Sequence, residues 1–129
     1  MTRLLYRITA GWLALFGALH TYGFLNFRPP TQEGLAVFSS MNSVHFTVKG
    51  NTYSYGNFYE GFGLMLSVYL FFSAFVSWQL ADMKARSIAW ALCAVQVAGV
   101  ALSLHYFGPP QAISGLIAVG LTAWAAAKT

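Results

Sequence analysis

Long stretches of this chain carry no charged residue. Residues 8–27 contain no Asp, Glu, Lys or Arg, and the same is true of residues 61–81 and of residues 87–127. A helix needs roughly 20 consecutive apolar residues to cross the hydrocarbon core of a bilayer, which is about 30 Å thick. The first two stretches have this length, and the third is long enough for two crossings. The spacing of the charges therefore predicts membrane-spanning helices.

The overall composition indicates the same class of protein. Only 8% of the 129 residues are charged and 57% are hydrophobic, whereas a typical soluble domain carries about 25% charged residues. The abundance of aromatic residues, 17% of the chain, excludes a disordered protein. The single cysteine, Cys93, excludes a scaffold held together by disulfides. The sequence thus predicts a small integral membrane protein with one domain.

A pair of prolines divides the longest uncharged stretch. Proline lacks the amide hydrogen and restricts the residue before it, so we expect two helices to meet at Gly108-Pro109-Pro110. The chain then has four predicted spans, over residues 5–27, 57–81, 86–107 and 110–127, within one transmembrane domain that covers residues 1–129. Short links between the last three spans imply antiparallel neighbours. The predicted fold class is therefore all-α, an antiparallel four-helix membrane bundle.

Basic residues are distributed unequally between the two sides of these spans. Four spans place both termini on one side, and cytoplasmic segments near spans are enriched in Lys and Arg. The side that holds the termini has five basic residues, and the opposite side has only Arg28 and Lys49. We therefore predict cytoplasmic N and C termini. The first uncharged stretch is too long for a signal peptide and is interpreted as an uncleaved span. The five basic residues are Arg3, Arg7, Lys84, Arg86 and Lys128.

Tryptophan positions give a second measure of depth. Each of the four tryptophans lies four or five residues from a charged residue at the predicted cytoplasmic boundary. At 1.5 Å per residue, this spacing places each of them about 6–8 Å inside that boundary. Tryptophan favours this interfacial zone. We therefore predict one common level for Trp12, Trp78, Trp90 and Trp124.

The connection between the first two spans is long enough to have structure of its own. Thr31 is a candidate N-cap for a short helix through residues 35–42. Residues 46–55 alternate in polarity around Gly50-Asn51, which predicts a β-hairpin with these two residues in the turn. Loops of this length are often lids or binding loops. The alternative is that residues 28–56 form an ordered cap that only shields the helix ends.

Ionisable side chains inside membrane spans are costly and are candidate functional residues for that reason. Counting from the charges that bound each span places His20, Glu60 and His105 in the outer half of the membrane. Gln96 lies on the opposite face of its helix from His105 and is expected to bond to a neighbouring helix. Two tyrosines and a glutamine that begins the fourth span complete the set. The candidate ligand-binding residues are His20, Tyr22, Tyr59, Glu60, His105 and Gln111.

Three interpretations of these residues follow. The first is a polar and aromatic pocket beneath the outer loop that holds a small amphipathic molecule or a lipid. The second is chemistry, in which His20, Glu60 and His105 form an acid–base group or hold a metal ion. The third is structural, in which Glu60 meets a histidine or Arg28 and so satisfies buried polarity at the helix ends.

Known catalytic patterns do not occur in the sequence. No two of the candidate ligands have the short spacing of familiar metal motifs, so no metal is predicted, and the cofactor is unknown. Nucleophile motifs, phosphate-binding loops and paired cysteines are absent. Cys93 lies in the apolar part of the third span, where a buried thiol is usually inert. The sequence therefore favours a binding protein over an enzyme.

Two segments resemble small uncharacterised bacterial membrane proteins. Residues 15–23 resemble the end of a first span with the pattern HTxG, which here begins at His20. Residues 53–64 are similar to the aromatic entry to a second span with the pattern Y-x-x-F-Y-x-G-F-G-L. These proteins are broadly grouped as DoxX-like. The resemblance implies a four-helix bundle in a bacterial inner membrane, and it carries over no catalytic residue because the group has no agreed activity.

The predicted function is the binding of a small amphipathic molecule or lipid in the outer half of the bundle. Some DoxX-like proteins serve as accessory subunits of redox complexes, and this implies an alternative role as an accessory or structural subunit of a larger membrane complex. A second alternative is an acid–base or metal-assisted enzyme that acts on a membrane-soluble substrate. The expected partners are the lipid bilayer, an amphipathic ligand, and a membrane protein or a second copy of the chain. No nucleic acid is expected.

Overall fold

Four long helices, one short helix and a hairpin make up the computed structural model, which describes all 129 residues. In chain order the elements are α1 (Thr2–Leu25), α2 (Gln32–Ser43), β1 (His45–Val48), β2 (Asn51–Ser54), α3 (Tyr55–Leu80), α4 (Arg86–Tyr106) and α5 (Pro109–Lys128). By length and composition, α1, α3, α4 and α5 are suited to crossing a membrane. The predicted helical class and the four candidate spans are confirmed to this extent.

The break between α4 and α5 follows from residues 108–110. Tyr106 is the last residue of α4, and Pro109 is the first residue of α5. Proline is well tolerated at a helix N-terminus, because the N–H groups there have no partner within the helix. Gly108 has a φ of 92°, a left-handed conformation that glycine adopts without a steric penalty. The predicted break is therefore confirmed, with α5 starting one residue earlier than expected.

The segment between α1 and α3 contains the predicted helix and hairpin. The Thr31 side-chain oxygen accepts a hydrogen bond of 3.0 Å from the Gly34 N–H, so Thr31 is the N-cap of α2. Strands β1 and β2 are antiparallel, and Val48 pairs with Asn51 at the end of the ladder.

The hairpin turn is one residue away from its predicted position. Lys49 and Gly50 occupy the turn, with φ values of 49° and 83°, and Asn51 begins β2. Two positive φ values are typical of a type I′ turn, whose twist matches that of the two strands. The resulting register places Phe46 opposite Tyr53, with their ring centroids 6.2 Å apart. The predicted Gly50-Asn51 turn was therefore wrong, because Asn51 is the first residue of β2 and pairs with Val48.

Contacts divide the chain into two compact units. The first unit comprises Met1–Gly17 and Tyr69–Thr129, and the second unit comprises Ala18–Val68. Helices α1 and α3 each contribute residues to both units. The single domain over residues 1–129 stays a prediction.

The chain ends meet within the first unit. The Asp82 carboxylate forms ion pairs with Arg3 at 2.8 Å and with Arg7 at 2.7 Å. The Tyr6 hydroxyl lies 3.0 Å from the Thr129 hydroxyl, within hydrogen-bond distance. The start of α1, the link between α3 and α4, and the end of α5 are therefore close together.

Polar side chains are buried one helical turn from the apolar core of the first unit. That core includes Tyr6, Leu80, Leu92 and Ala126. On each of the four helices a polar residue lies three or four positions from one of these core residues and is at most 4% exposed. We call this set the polar layer, and its members are Thr9, Ser77, Gln96 and Thr122.

The polar layer is incompletely hydrogen-bonded. The Thr9 hydroxyl donates to the carbonyl oxygen of Leu5 in its own helix at 2.9 Å. The side-chain oxygen and nitrogen of Gln96 have no hydrogen-bond partner within the protein, and the same holds for the hydroxyls of Ser77 and Thr122. The prediction that Gln96 bonds to a neighbouring helix was therefore wrong.

Trp12 does not share the level of Trp124 in the first unit. Its indole N–H donates to the carbonyl oxygen of Ser114 at 3.0 Å. Ser114 precedes Trp124 by ten residues in α5, or about 15 Å along the helix axis. The prediction of one common level was therefore wrong for Trp12. A part-buried indole N–H requires an acceptor, and here a backbone carbonyl provides it.

Candidate functional site

A cavity of about 430 Å³ lies within the second unit. It is open to solvent on one side and is bordered by the last turn of α1 and the residues that follow it, by one face of α2, and by the start of α3. Its volume falls in the range of small-molecule sites. The lining residues are Phe24, Leu25, Phe27, Arg28, Pro29, Leu35, Phe38, Asn42, Gly56, Tyr59 and Glu60.

Local sequence folds α2 back over this cavity. Pro29 and Pro30 follow α1, and Thr31 then caps α2. Gly34, in the first turn of α2, lies so close to Pro29 that an added Cβ would be 2.8 Å from the proline Cβ. At the other end of α2, Asn42 packs against Gly56 of α3 and occupies the space that a Cβ there would need. These close contacts hold both ends of the cavity roof.

Three aromatic rings form one wall of the cavity. The Tyr59 ring lies between the other two, with its centroid 5.2 Å from that of Phe24 and 6.4 Å from that of Phe38. Because Phe24 lies in α1, Phe38 in α2 and Tyr59 in α3, the wall joins all three helices. Aromatic pairs with centroids 4.5–7 Å apart stabilise such packing beyond the area that they bury.

His20 joins α1 to α3 behind this wall. Its Nε2 lies 3.1 Å from the carbonyl oxygen of Gly63, and since a carbonyl only accepts, the Nε2–H donates in this contact. The next residue, Thr21, donates from its hydroxyl to the Ser67 hydroxyl at 2.8 Å. The His20 ring also stacks on Phe24, with centroids 5.9 Å apart. His20 therefore positions Phe24 and does not itself line the cavity.

One positive and one negative charge line the cavity. The Arg28 guanidinium follows α1, and the Glu60 carboxylate belongs to α3. Neither side chain makes an ion pair or a hydrogen bond, and both ion pairs in the structure belong to Asp82. The structural interpretation, in which Glu60 meets a histidine or Arg28, is therefore not what the structure shows.

The remaining candidate residues lie outside the cavity lining. Tyr22, in the second unit, is 71% exposed, and its carbonyl oxygen accepts a hydrogen bond from the Asn26 side chain at 2.8 Å. His105 and Gln111 belong to the first unit, where both are exposed at the ends of α4 and α5. The His105 ring packs on Tyr106 with centroids 4.5 Å apart. Of the six candidates, the structure brings Tyr59 and Glu60 together at the cavity, with His20 behind them.

No group of three or more His, Cys, Asp or Glu residues in the structure could hold a metal ion together. The metal set suggested for His20, Glu60 and His105 thus gains no support from geometry. The Nε2 of His20 already bonds to Gly63.

Sequence reasoning missed two residues that define the cavity. Arg28 was considered as a marker of the membrane boundary and as a partner for Glu60 but not as a ligand-binding residue, although it lines the cavity. Phe38 was not a candidate, although the short helix predicted through residues 35–42 contains it. A signal was present: Leu35, Phe38 and Asn42 follow the spacing of one helical face, and all three line the cavity.

The fold and the cavity together define a class of protein, one with four helices suited to crossing a membrane and an aromatic cavity that carries two unpaired charges. No family model, no curated protein and no solved structure matches this chain. The contacts of the cavity itself therefore carry the functional argument.

Proposed function

We propose that this protein is a multi-pass membrane protein whose second unit binds a small amphipathic molecule or a lipid. The observation that carries the proposal is the cavity, where three aromatic rings adjoin the unpaired charges of Arg28 and Glu60. An amphipathic ligand buries its apolar part against the rings and presents its polar group to the charges. Sites of this kind combine apolar walls with a few polar groups that fix orientation.

The proposed setting is a bacterial inner membrane, spanned by α1, α3, α4 and α5 as an antiparallel bundle with both termini in the cytoplasm. The excess of Lys and Arg near the termini and near the link between α3 and α4 supports this orientation. In this setting the cavity lies at the outer boundary of the membrane, because α1 ends there and α3 begins there. This level is where the polar groups of amphipathic molecules reside.

The DoxX-like resemblance is part of the same proposal. The hydrogen bond between His20 and the Gly63 carbonyl joins the HTxG segment to the G-F-G-L segment. The two segments that carry the resemblance are thus in contact beside the cavity. This contact gives the residues of the two segments a common role in shaping the cavity. It therefore supports a binding function for these segments.

A cavity-filling substitution tests the proposed function. Leu35 lines the cavity from α2, so Leu35→Trp is expected to occupy the space that the ligand needs. Val37 lies on the same short helix outside the cavity lining and is 60% exposed, which makes Val37→Trp the matched control. Protein purified in mild detergent is analysed by native mass spectrometry, and the small molecules that it releases are measured.

We expect a defined molecule to co-purify in stoichiometric amount with the wild type and with Val37→Trp. Leu35→Trp should retain at least about tenfold less, the ratio that corresponds to a loss of about 1.4 kcal/mol in binding free energy. A wild type that retains no defined molecule, or a Leu35→Trp variant that retains the same amount, would contradict the proposed function.

A further inference from the structure

The charges of the cavity indicate what kind of polar group the ligand carries. Arg28 and Glu60 line the same cavity from different elements, and neither is neutralised by another residue. Both side chains are exposed to solvent and are therefore accessible to a ligand, and a ligand with one charge would contact only one of them. A ligand that carries both charges satisfies both side chains. The charge balance of the cavity is thus complementary to a zwitterion.

We propose that the ligand is a zwitterion with a primary ammonium group and a phosphate or carboxylate group, an inference that rests on the proposed function. The anionic group binds Arg28, whose planar guanidinium donates two parallel hydrogen bonds to such groups. The ammonium group binds at Glu60, whose ionised carboxylate only accepts hydrogen bonds and therefore requires a donor.

The aromatic wall favours the same placement of the ammonium group. Tyr59 precedes Glu60 in α3, and its ring contacts those of Phe24 and Phe38. A cation within about 6 Å of an aromatic centroid is attracted by the negative face of the ring. The ammonium group is thus held between the carboxylate and the rings. The anionic group, which aromatic faces repel, lies towards Arg28 after the end of α1.

A phosphoethanolamine group has this chemistry, and it has two sources. It is the headgroup of a phosphatidylethanolamine lipid, and it also exists as free phosphoethanolamine in solution. Both present a primary ammonium and a phosphate in one small unit. Binding experiments with the two molecules separate these sources.

The test uses the full-length protein in detergent and native mass spectrometry of bound ligand. The protein is titrated with phosphatidylethanolamine and with phosphatidylglycerol, which shares the phosphate and lacks the ammonium group. We expect the wild type to bind phosphatidylethanolamine about tenfold more tightly, the effect of one additional charge-assisted contact. Glu60→Gln should remove this preference and leave phosphatidylglycerol binding unchanged. Arg28→Gln should weaken the binding of both lipids.

Control and exchange variants separate recognition of charge from loss of folding. Glu33→Gln and Lys49→Gln change charges of the second unit outside the cavity lining and should leave the preference unchanged. The double variant Arg28→Glu/Glu60→Arg keeps one charge of each sign in the cavity. It should recover part of the preference that Glu60→Gln loses.

The outcomes separate the two proposals. If the wild type binds both lipids equally while Leu35→Trp abolishes retention, the zwitterion inference fails and the proposed function stands. If no lipid or zwitterion binds and Leu35→Trp changes nothing, both fail. Displacement of the lipid by free phosphoethanolamine at comparable concentration supports the zwitterion inference and assigns the ligand a soluble source.

Discussion

Two glycines of α3 determine how closely the neighbouring helices approach the cavity. Gly63 lies against the Phe24 ring, which occupies the space that a Cβ on residue 63 would fill. Gly56 lies against Asn42 in the same way. Phe24 and Asn42 both line the cavity. The lack of a side chain at residues 56 and 63 therefore sets the shape of the cavity. Sequence alone did not single out either glycine for this role, because the partner that requires it lies on another helix.

Replacing Gly63 with alanine should destabilise the second unit. The added methyl group displaces the Phe24 ring, and overpacking of this kind costs about 1–3 kcal/mol. Gly61→Ala is a matched control on the same helix, because no atom lies within 4 Å of a Cβ there. Alanine in an open helical position is neutral or stabilises by up to about 1 kcal/mol. Thermal unfolding in detergent measures both variants, and equal midpoints for the two would contradict the packing argument.

At the scale of elements, local signals in the sequence were sufficient to locate the helices. Uncharged stretches located the four long helices, Pro109 and Pro110 located the start of α5, and Thr31 located the start of α2. Each of these signals lies in a continuous segment of the sequence, so it can be recognised without knowledge of the tertiary structure. The hairpin turn was misplaced by one residue because its register depends on cross-strand pairing, including that of Phe46 with Tyr53.

The polar layer of the first unit gives a prediction at this scale. A buried amide without a hydrogen-bond partner destabilises a protein by about 1–3 kcal/mol. Gln96→Leu removes such an amide from α4 and keeps a similar side-chain volume. We therefore expect this variant to unfold at a higher temperature than the wild type in detergent.

Thr9→Val provides the comparison for this prediction. The Thr9 hydroxyl makes a hydrogen bond to the Leu5 carbonyl in its own helix, so its removal should lower stability by about 0.5–1.5 kcal/mol. If Gln96→Leu instead destabilises the protein as much as Thr9→Val or more, the amide of Gln96 takes part in a stabilising interaction and the prediction is wrong.

At the scale of the whole molecule, the placement of charge contains most of the information in this sequence. The long uncharged stretches predicted the helices, and the few charged residues include Arg28 and Glu60, the two charged side chains that line the cavity. The cavity itself was only partly predictable. Tyr59 and Glu60 were candidates by position in the second predicted span, whereas Phe38 joins them only because α2 folds back after Pro29 and Pro30. That arrangement depends on contacts between elements distant in sequence.

The central claim is that the cavity of the second unit selects a particular amphipathic molecule in the membrane. Incorporation of a photoreactive benzoyl-phenylalanine at position 38, followed by irradiation of intact cells, tests it most directly. The same amino acid at position 72, where Phe72 is 62% exposed, reports the bulk lipid mixture. We predict one molecular species crosslinked at position 38 and a mixture at position 72. The absence of an adduct at position 38, or the same mixture at both positions, would contradict the claim.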